Sequence, residues 1–151
     1  MSVAPAEPCP WQPLIKAAVP AGAVVDACDE LPLAPEPSNV ALARRFVLDR
    51  VPAAAPNRRD WLSVLTSELA TNVVVHARTQ MRVVVLLAGS DAVVGIHDLD
   101  LGRSEVITHE RDGGRGLTLI AAVAAAHGQV GCPTGGKVVW FRLSLEGAEA
   151  S

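Results

Sequence analysis

The sequence predicts an α+β two-layer sandwich, in which a mixed, mainly antiparallel sheet is covered by helices on one face. Three observations carry this expectation. Residues 61–77, WLSVLTSELATNVVVHA, repeat Leu62, Leu65, Leu69, Val73 and Ala77 at three- and four-residue spacing, the period of a helix with one apolar side. Residues 81–87 and 92–99 are rich in β-branched side chains and are separated by Gly89-Ser90-Asp91, which reads as an antiparallel hairpin. Towards the C-terminus Phe141, Leu143 and Leu145 alternate with Arg142 and Ser144, the period of a strand over residues 138–145.

The elements follow in chain order. Residues 1–28 hold Pro5, Pro8, Pro10, Pro13 and Pro20 among alanines and are expected to form a mostly irregular leader. Residues 30–33 suit a short strand, which Pro32 confines to a sheet edge. Ser38 is placed to cap a helix over residues 39–51, with Val40, Ala43, Val47 and Val51 on one face. Pro52 and Pro56 then break the chain, and Asn57 or Asp60 can cap the helix at 61–77. After the hairpin, residues 100–114 (DLGRSEVITHERDGG) form a polar loop of a length common in lids and binding segments. Residues 116–127 form a further apolar helix ended by Gly128, residues 129–132 a short strand and residues 133–136 a turn. The domain is expected to span residues 29–146, with residues 147–151 as a tail. Its core should draw on Phe46, Leu65, Leu69, Val73, Val83, Val85, Val94, Ile96, Leu119 and Phe141.

Composition narrows the function. A chain of 151 residues, half of them hydrophobic, can bury a sizeable core in one domain. Tyr is absent and aromatic residues make up 3%, which excludes a stacking platform for single-stranded nucleic acid. The net charge is −3 and the basic residues cluster no further than Arg44-Arg45 and Arg58-Arg59, so no direct nucleic-acid partner is expected. Cys9, Cys28 and Cys132 lie far apart without a CxxC, the pattern of reduced thiols in a cytoplasmic protein. The four histidines show no zinc-binding spacing, so no structural metal is assigned. Residues 14–25 resemble an export signal only superficially, because they contain Lys16 and Pro20 and follow Glu7. No apolar run has the length of a membrane span, and no membrane partner is expected.

Four places carry chemistry. Glu68, Asn72 and His76, at i, i+4 and i+8, rise along one side of the helix at 61–77, close to its apolar stripe. A carboxylate and an amide one turn apart can serve as a proton acceptor beside a hard-cation ligand, or simply face water. Asp98, at the end of the second hairpin strand, can accept a hydrogen bond from an amine or initiate a turn. Residues 112–117 (DGGRGL) open a helix with glycines whose exposed N–H groups favour phosphate, though a flexible turn explains them equally well. This is neither a P-loop nor a dinucleotide fingerprint, since no Lys-Ser/Thr pair follows and no strand precedes. Gly135-Gly136-Lys137 begins the last strand and reads as a turn or as a nucleotide contact.

The order of these stretches, SELATNVVVHA, HDLDLG, GGRGLTLIAAVAAAHG and GGKVVWFRL, resembles the GHKL (histidine-kinase-like) ATPase family in all four of its motif regions. The chain is most similar to the small bacterial anti-sigma factor serine/threonine kinases. The resemblance covers residues 30–145 and implies the Bergerat ATP-binding fold, with ATP and Mg²⁺ as cofactors. By position it makes Asn72 the ligand of Mg²⁺ and Glu68 the base that takes the proton of an attacking serine hydroxyl. Asp98 would read the adenine amine, with Gly102 in the same motif, and Gly114, Arg115, Gly116 and Leu117 would close over the phosphates. His76 matches the family and is assigned to packing or hydrogen bonding.

Two positions depart from the family pattern. Asp100 stands where the second motif has its middle glycine, and Val138 where the last strand has a threonine. The implied function is an ATP-dependent kinase that phosphorylates a serine on an antagonist protein and sequesters a sigma factor, in a partner switch. The alternative, which Asp100 and Val138 favour, is a non-catalytic module that sequesters its partner with weak or lost nucleotide binding. A homodimer is compatible with either. A sensor histidine kinase fits less well, because no histidine precedes His76 to accept a phosphate. The larger chaperone, mismatch-repair and topoisomerase relatives need additional domains.

Overall fold

Alternating β-branched runs leave two faces of a sheet to be covered, and the chain covers each differently. The computed structural model describes residues 11–100 and 115–146, with the backbone alone for 115–118. The elements are α1 (Gln12–Ala18), β1 (Val25–Leu33), α2 (Asn39–Arg50), α3 (Pro56–Asn72), a π-helical turn (Val73–Ala77), β2 (Met81–Ala88), β3 (Asp91–Asp98), α4 (Arg115–Val123), β4 (Ala126–Gly131) and β5 (Lys137–Ser144). The five strands form one sheet in the order β1-β2-β3-β5-β4. All four pairings are antiparallel, so the parallel component expected of a mixed sheet is absent among the described strands. The α+β class holds.

Side chains alternate between two cores. On one face Val83 and Val85 of β2, Ala92, Val94 and Ile96 of β3 and Phe141 and Leu143 of β5 meet Ala43 and Val47 of α2, Leu62, Leu65 and Leu69 of α3 and Ile120 of α4. All ten expected core residues belong to this cluster, with Phe46 and Leu119 only partly buried at its margin. On the other face Val84, Leu86, Val93, Val138 and Trp140 meet Trp11, Leu14 and Ala18. Helices therefore cover both faces rather than one.

This second core corrects the irregular leader expected over residues 1–28 in its described part, residues 11–28; residues 1–10 lie outside the described residues. Pro13 lies in the first turn of α1, where its missing N–H costs nothing and its fixed φ suits a helix. Leu14 and Ala18, one turn apart, are fully buried on the sheet. The helix approaches closely because β3 offers Gly95, where an added Cβ would lie 3.4 Å from Leu14 Cδ2 and 2.8 Å from Val138 Cγ1. The first strand also begins earlier than expected, at Val25, with a bulge between Val25 and Ala27. Pro32 does lie on an edge strand.

Helix α2 begins at Asn39 as expected, while the starts or ends of the other helices moved for local reasons. Ser38 makes no capping hydrogen bond; Asn39 Nδ2 instead donates to the Ala34 carbonyl at 2.9 Å. Pro56 begins α3 rather than breaking the chain before it, so neither Asn57 nor Asp60 is the cap. Arg59 Nη1 donates to the carbonyls of Leu48 and Val51 and fastens the α2–α3 turn. Helix α4 stops at Val123 although AAVAAAH favours continuation, because Ala126–Gly131 instead pairs with β5 as an edge strand. His127 thus stands in a strand, opposite Phe141. Among the described residues no helix is long and apolar enough to cross a membrane.

Candidate functional site

Helix α3 carries its polar pair to one end of the sheet. Its first turn is anchored at the end of β5, where Ala55 N–H donates to the Leu145 carbonyl. Its 17 residues span about 25 Å and lead through the π-helical turn into β2 at Met81. Met81 pairs with Asp98, the last residue of β3, and Asp98 pairs with Lys137, the first of β5. Glu68 and Asn72, in the last turns of α3, therefore share the Asp98 end of the fold. Both are half-buried beside the Leu65–Leu69–Val73 stripe. Neither side chain has a hydrogen-bond or ion-pair partner among the described residues, so a carboxylate and an amide remain available for a ligand.

The backbone changes its winding directly after Asn72. Val73–Ala77 is π-helical, and it closes with Arg78 N–H donating to the Val73 carbonyl at 2.6 Å. Arg78 is the one non-glycine described residue at positive φ, at 53°. Such widened turns often occur at functional sites. His76 lies within this turn, beyond the end of the regular α-helix at Asn72. His76 is exposed.

Asp98 lies on the face covered by α2, α3 and α4, since Ile96 and Val94 precede it at alternate positions. Its side chain is 4% exposed and forms an ion pair with Lys137, whose side chain is 15% exposed. Lys137 Nζ donates to Oδ1 at 2.9 Å and to Oδ2 at 3.1 Å. Oδ1 also accepts the Asp100 amide at 2.8 Å, a turn held by a side chain two residues back. The exit of β3 is fixed further by Leu99 N–H, which donates to Thr79 Oγ1 at 2.9 Å.

The turn before β5 is pinned to β3 at two points. On the α1 side His97 Nε2–H donates to the Gly135 carbonyl at 2.7 Å. At Gly136, φ +81°, a Cβ would overlap the Asp98 carbonyl oxygen. Only glycine satisfies both the turn and the approach.

The sequence singled out Glu68, Asn72 and Asp98, and the fold brings them to one end. It passed over Lys137 as the partner of Asp98, because Gly135-Gly136-Lys137 read equally well as a plain turn. Val138, a departure from the expected pattern, points to the opposite face among Trp11 and Leu14, away from Asp98. Gly102 and Gly114 lie outside the described residues; Arg115, Gly116 and Leu117 form the first turn of α4, where only the backbone is described. Among the described residues there is no cluster of three or more His, Cys, Asp or Glu side chains able to hold a metal. The Asn72 amide offers one oxygen of the kind Mg²⁺ takes, an ion that keeps several of its waters. A comparison of the chain with protein-family models finds no match, and neither does a comparison with curated proteins.

Proposed function

We propose that this chain is an ATP-binding regulator of the GHKL type, with the Bergerat fold, that phosphorylates a serine on an antagonist protein and acts as an anti-sigma factor in a partner switch. The observation that carries the reading is the placement of a buried carboxylate, Asp98, at the same end of the sheet as Glu68 and Asn72, which have no side-chain partner among the described residues. Asp98 accepts the adenine amine through an oxygen that keeps acceptor capacity. Asn72 supplies one amide oxygen to Mg²⁺, which neutralises phosphate charge when bound. Glu68 takes the proton of the serine hydroxyl as that oxygen bonds the γ-phosphorus and ADP leaves. The first turn of α4, with its backbone N–H groups at Arg115, Gly116 and Leu117, suits the phosphate end of the nucleotide.

A second reading has its own observation. Lys137 already donates to both oxygens of Asp98, and Asp100 adds a carboxylate where a polyanion would approach. These favour a module that sequesters its partner without catalysis. Incubating the chain with labelled ATP and Mg²⁺, with and without candidate antagonists encoded by neighbouring genes, separates the two. Label on an antagonist serine supports the kinase, whereas tight partner binding without label transfer supports the sequestering module. Failure to bind ATP removes the first reading.

A further inference from the structure

We propose that Lys137 is the specificity-determining residue of the Asp98 site: it holds the carboxylate in one orientation, so that a single acceptor on Oδ2 is left to read an exocyclic amine. The inference rests on the ATP-binding reading above and deepens it by naming a positioning residue that the motif comparison does not assign.

A carboxylate offers about four acceptor positions on its two oxygens. Among the described residues, Asp98 Oδ1 accepts two donors, Lys137 Nζ and the Asp100 amide, while Oδ2 accepts Lys137 Nζ alone. The remaining capacity lies on Oδ2. Turning the carboxylate would break the Asp100 bond and both Lys137 bonds together, so the orientation is fixed.

The cation is fixed as firmly as the anion. Lys137 stands directly opposite Asp98 in the β3–β5 register, and both side chains occupy the same face. The contact of Gly136 with the Asp98 carbonyl and the His97–Gly135 hydrogen bond prevent the start of β5 from sliding away. The pair is largely buried, so solvent and salt screen it little. An acceptor-only group in such a site welcomes a donor and rejects a carbonyl oxygen, and a base carrying an exocyclic amine meets that requirement. Lys137 acts through Asp98 and not on the base itself.

The test compares ATP with purine riboside 5′-triphosphate, which is ATP without its 6-amino group, by titration calorimetry with Mg²⁺ on the full chain. The parent chain is expected to bind ATP about 10–100-fold more tightly, the value of one hydrogen bond to a charged group. Lys137→Met should reduce that preference about tenfold or more while leaving the desamino nucleotide unchanged, and Lys137→Arg should restore it. If Lys137→Met weakens both nucleotides alike, Lys137 is merely structural and the proposal fails. Tighter ATP binding by Lys137→Met also overturns it, because the ammonium would then compete with the amine. Equal binding of both nucleotides by the parent chain overturns it while leaving ATP binding intact; binding of neither overturns both readings. Should Lys137→Met fail to fold, the Asp98→Asn/Lys137→Met pair removes both buried charges. Its amide can turn either end to the ligand, so a preference of about one is expected. Parent-like discrimination by the pair would reject the proposal.

Discussion

Trp11 meets His97 edge to face, with ring centroids 5.7 Å apart and planes at 68°. The contact joins the start of α1 to the strand position beside Asp98, and His97 in turn holds the β4–β5 turn through Gly135. The N-terminal helix therefore belongs to the same packed unit as the candidate site.

Trp11 is 3% exposed and its ring fills the core beneath α1. Trp11→Ala should lower stability by about 3–5 kcal/mol, the usual cost of emptying an aromatic site. Chemical denaturation measures this directly. A loss below about 0.5 kcal/mol, the range of surface substitutions, would mean that α1 is not seated on the sheet.

Gly135 and Gly136 both have positive φ, at +111° and +81°, but only Gly136 faces an obstacle. Gly135→Ala should cost backbone strain of about 1 kcal/mol, and Gly136→Ala distinctly more because its Cβ overlaps the Asp98 carbonyl. Thermal melts of the two variants side by side isolate the overlap. Equal losses would show that the turn relaxes away from β3.

Glu68→Gln keeps the shape of the side chain and removes its basicity. Nucleotide affinity should stay near the parent value, while phosphoryl transfer to the antagonist falls about 10²–10⁴-fold. Transfer at the parent rate would remove Glu68 from the role of base.

Asp100 donates its backbone amide to Asp98, a bond that glycine would preserve. Asp100→Gly should therefore keep the Asp98 geometry, remove a negative charge that opposes a polyanion and tighten ATP binding. The gain should shrink as salt rises if charge is its cause. A gain that persists at high salt would indicate sterics or strain. No gain at any ionic strength would show that aspartate is harmless there, and would strengthen the kinase reading against the sequestering one.

Much of the fold was legible in local periodicity. Leu65, Leu69 and Val73 recur at helical spacing, and Val83, Val85, Val94 and Ile96 at strand spacing, because a side chain's direction is set by its own element. Glu68, Asn72 and Asp98 stood out for the same reason, as polar groups at defined places along such elements. The α1 helix was not legible: it is seven residues long, too short to hold itself, and it exists because Trp11, Leu14 and Ala18 bury against a face of the sheet. Likewise β4 displaced the end of an alanine-rich helix only because β5 lay beside it.

By itself, the sequence determined which residues are available for chemistry and which elements bear them. Tertiary structure alone decided that Lys137 would face Asp98 while Val138 turned to the other side. Those two choices follow from strand register between segments 39 residues apart, and a slip of one position would have exchanged them. Register depends on the whole sheet and its turns, so no pattern within either strand could announce the ion pair.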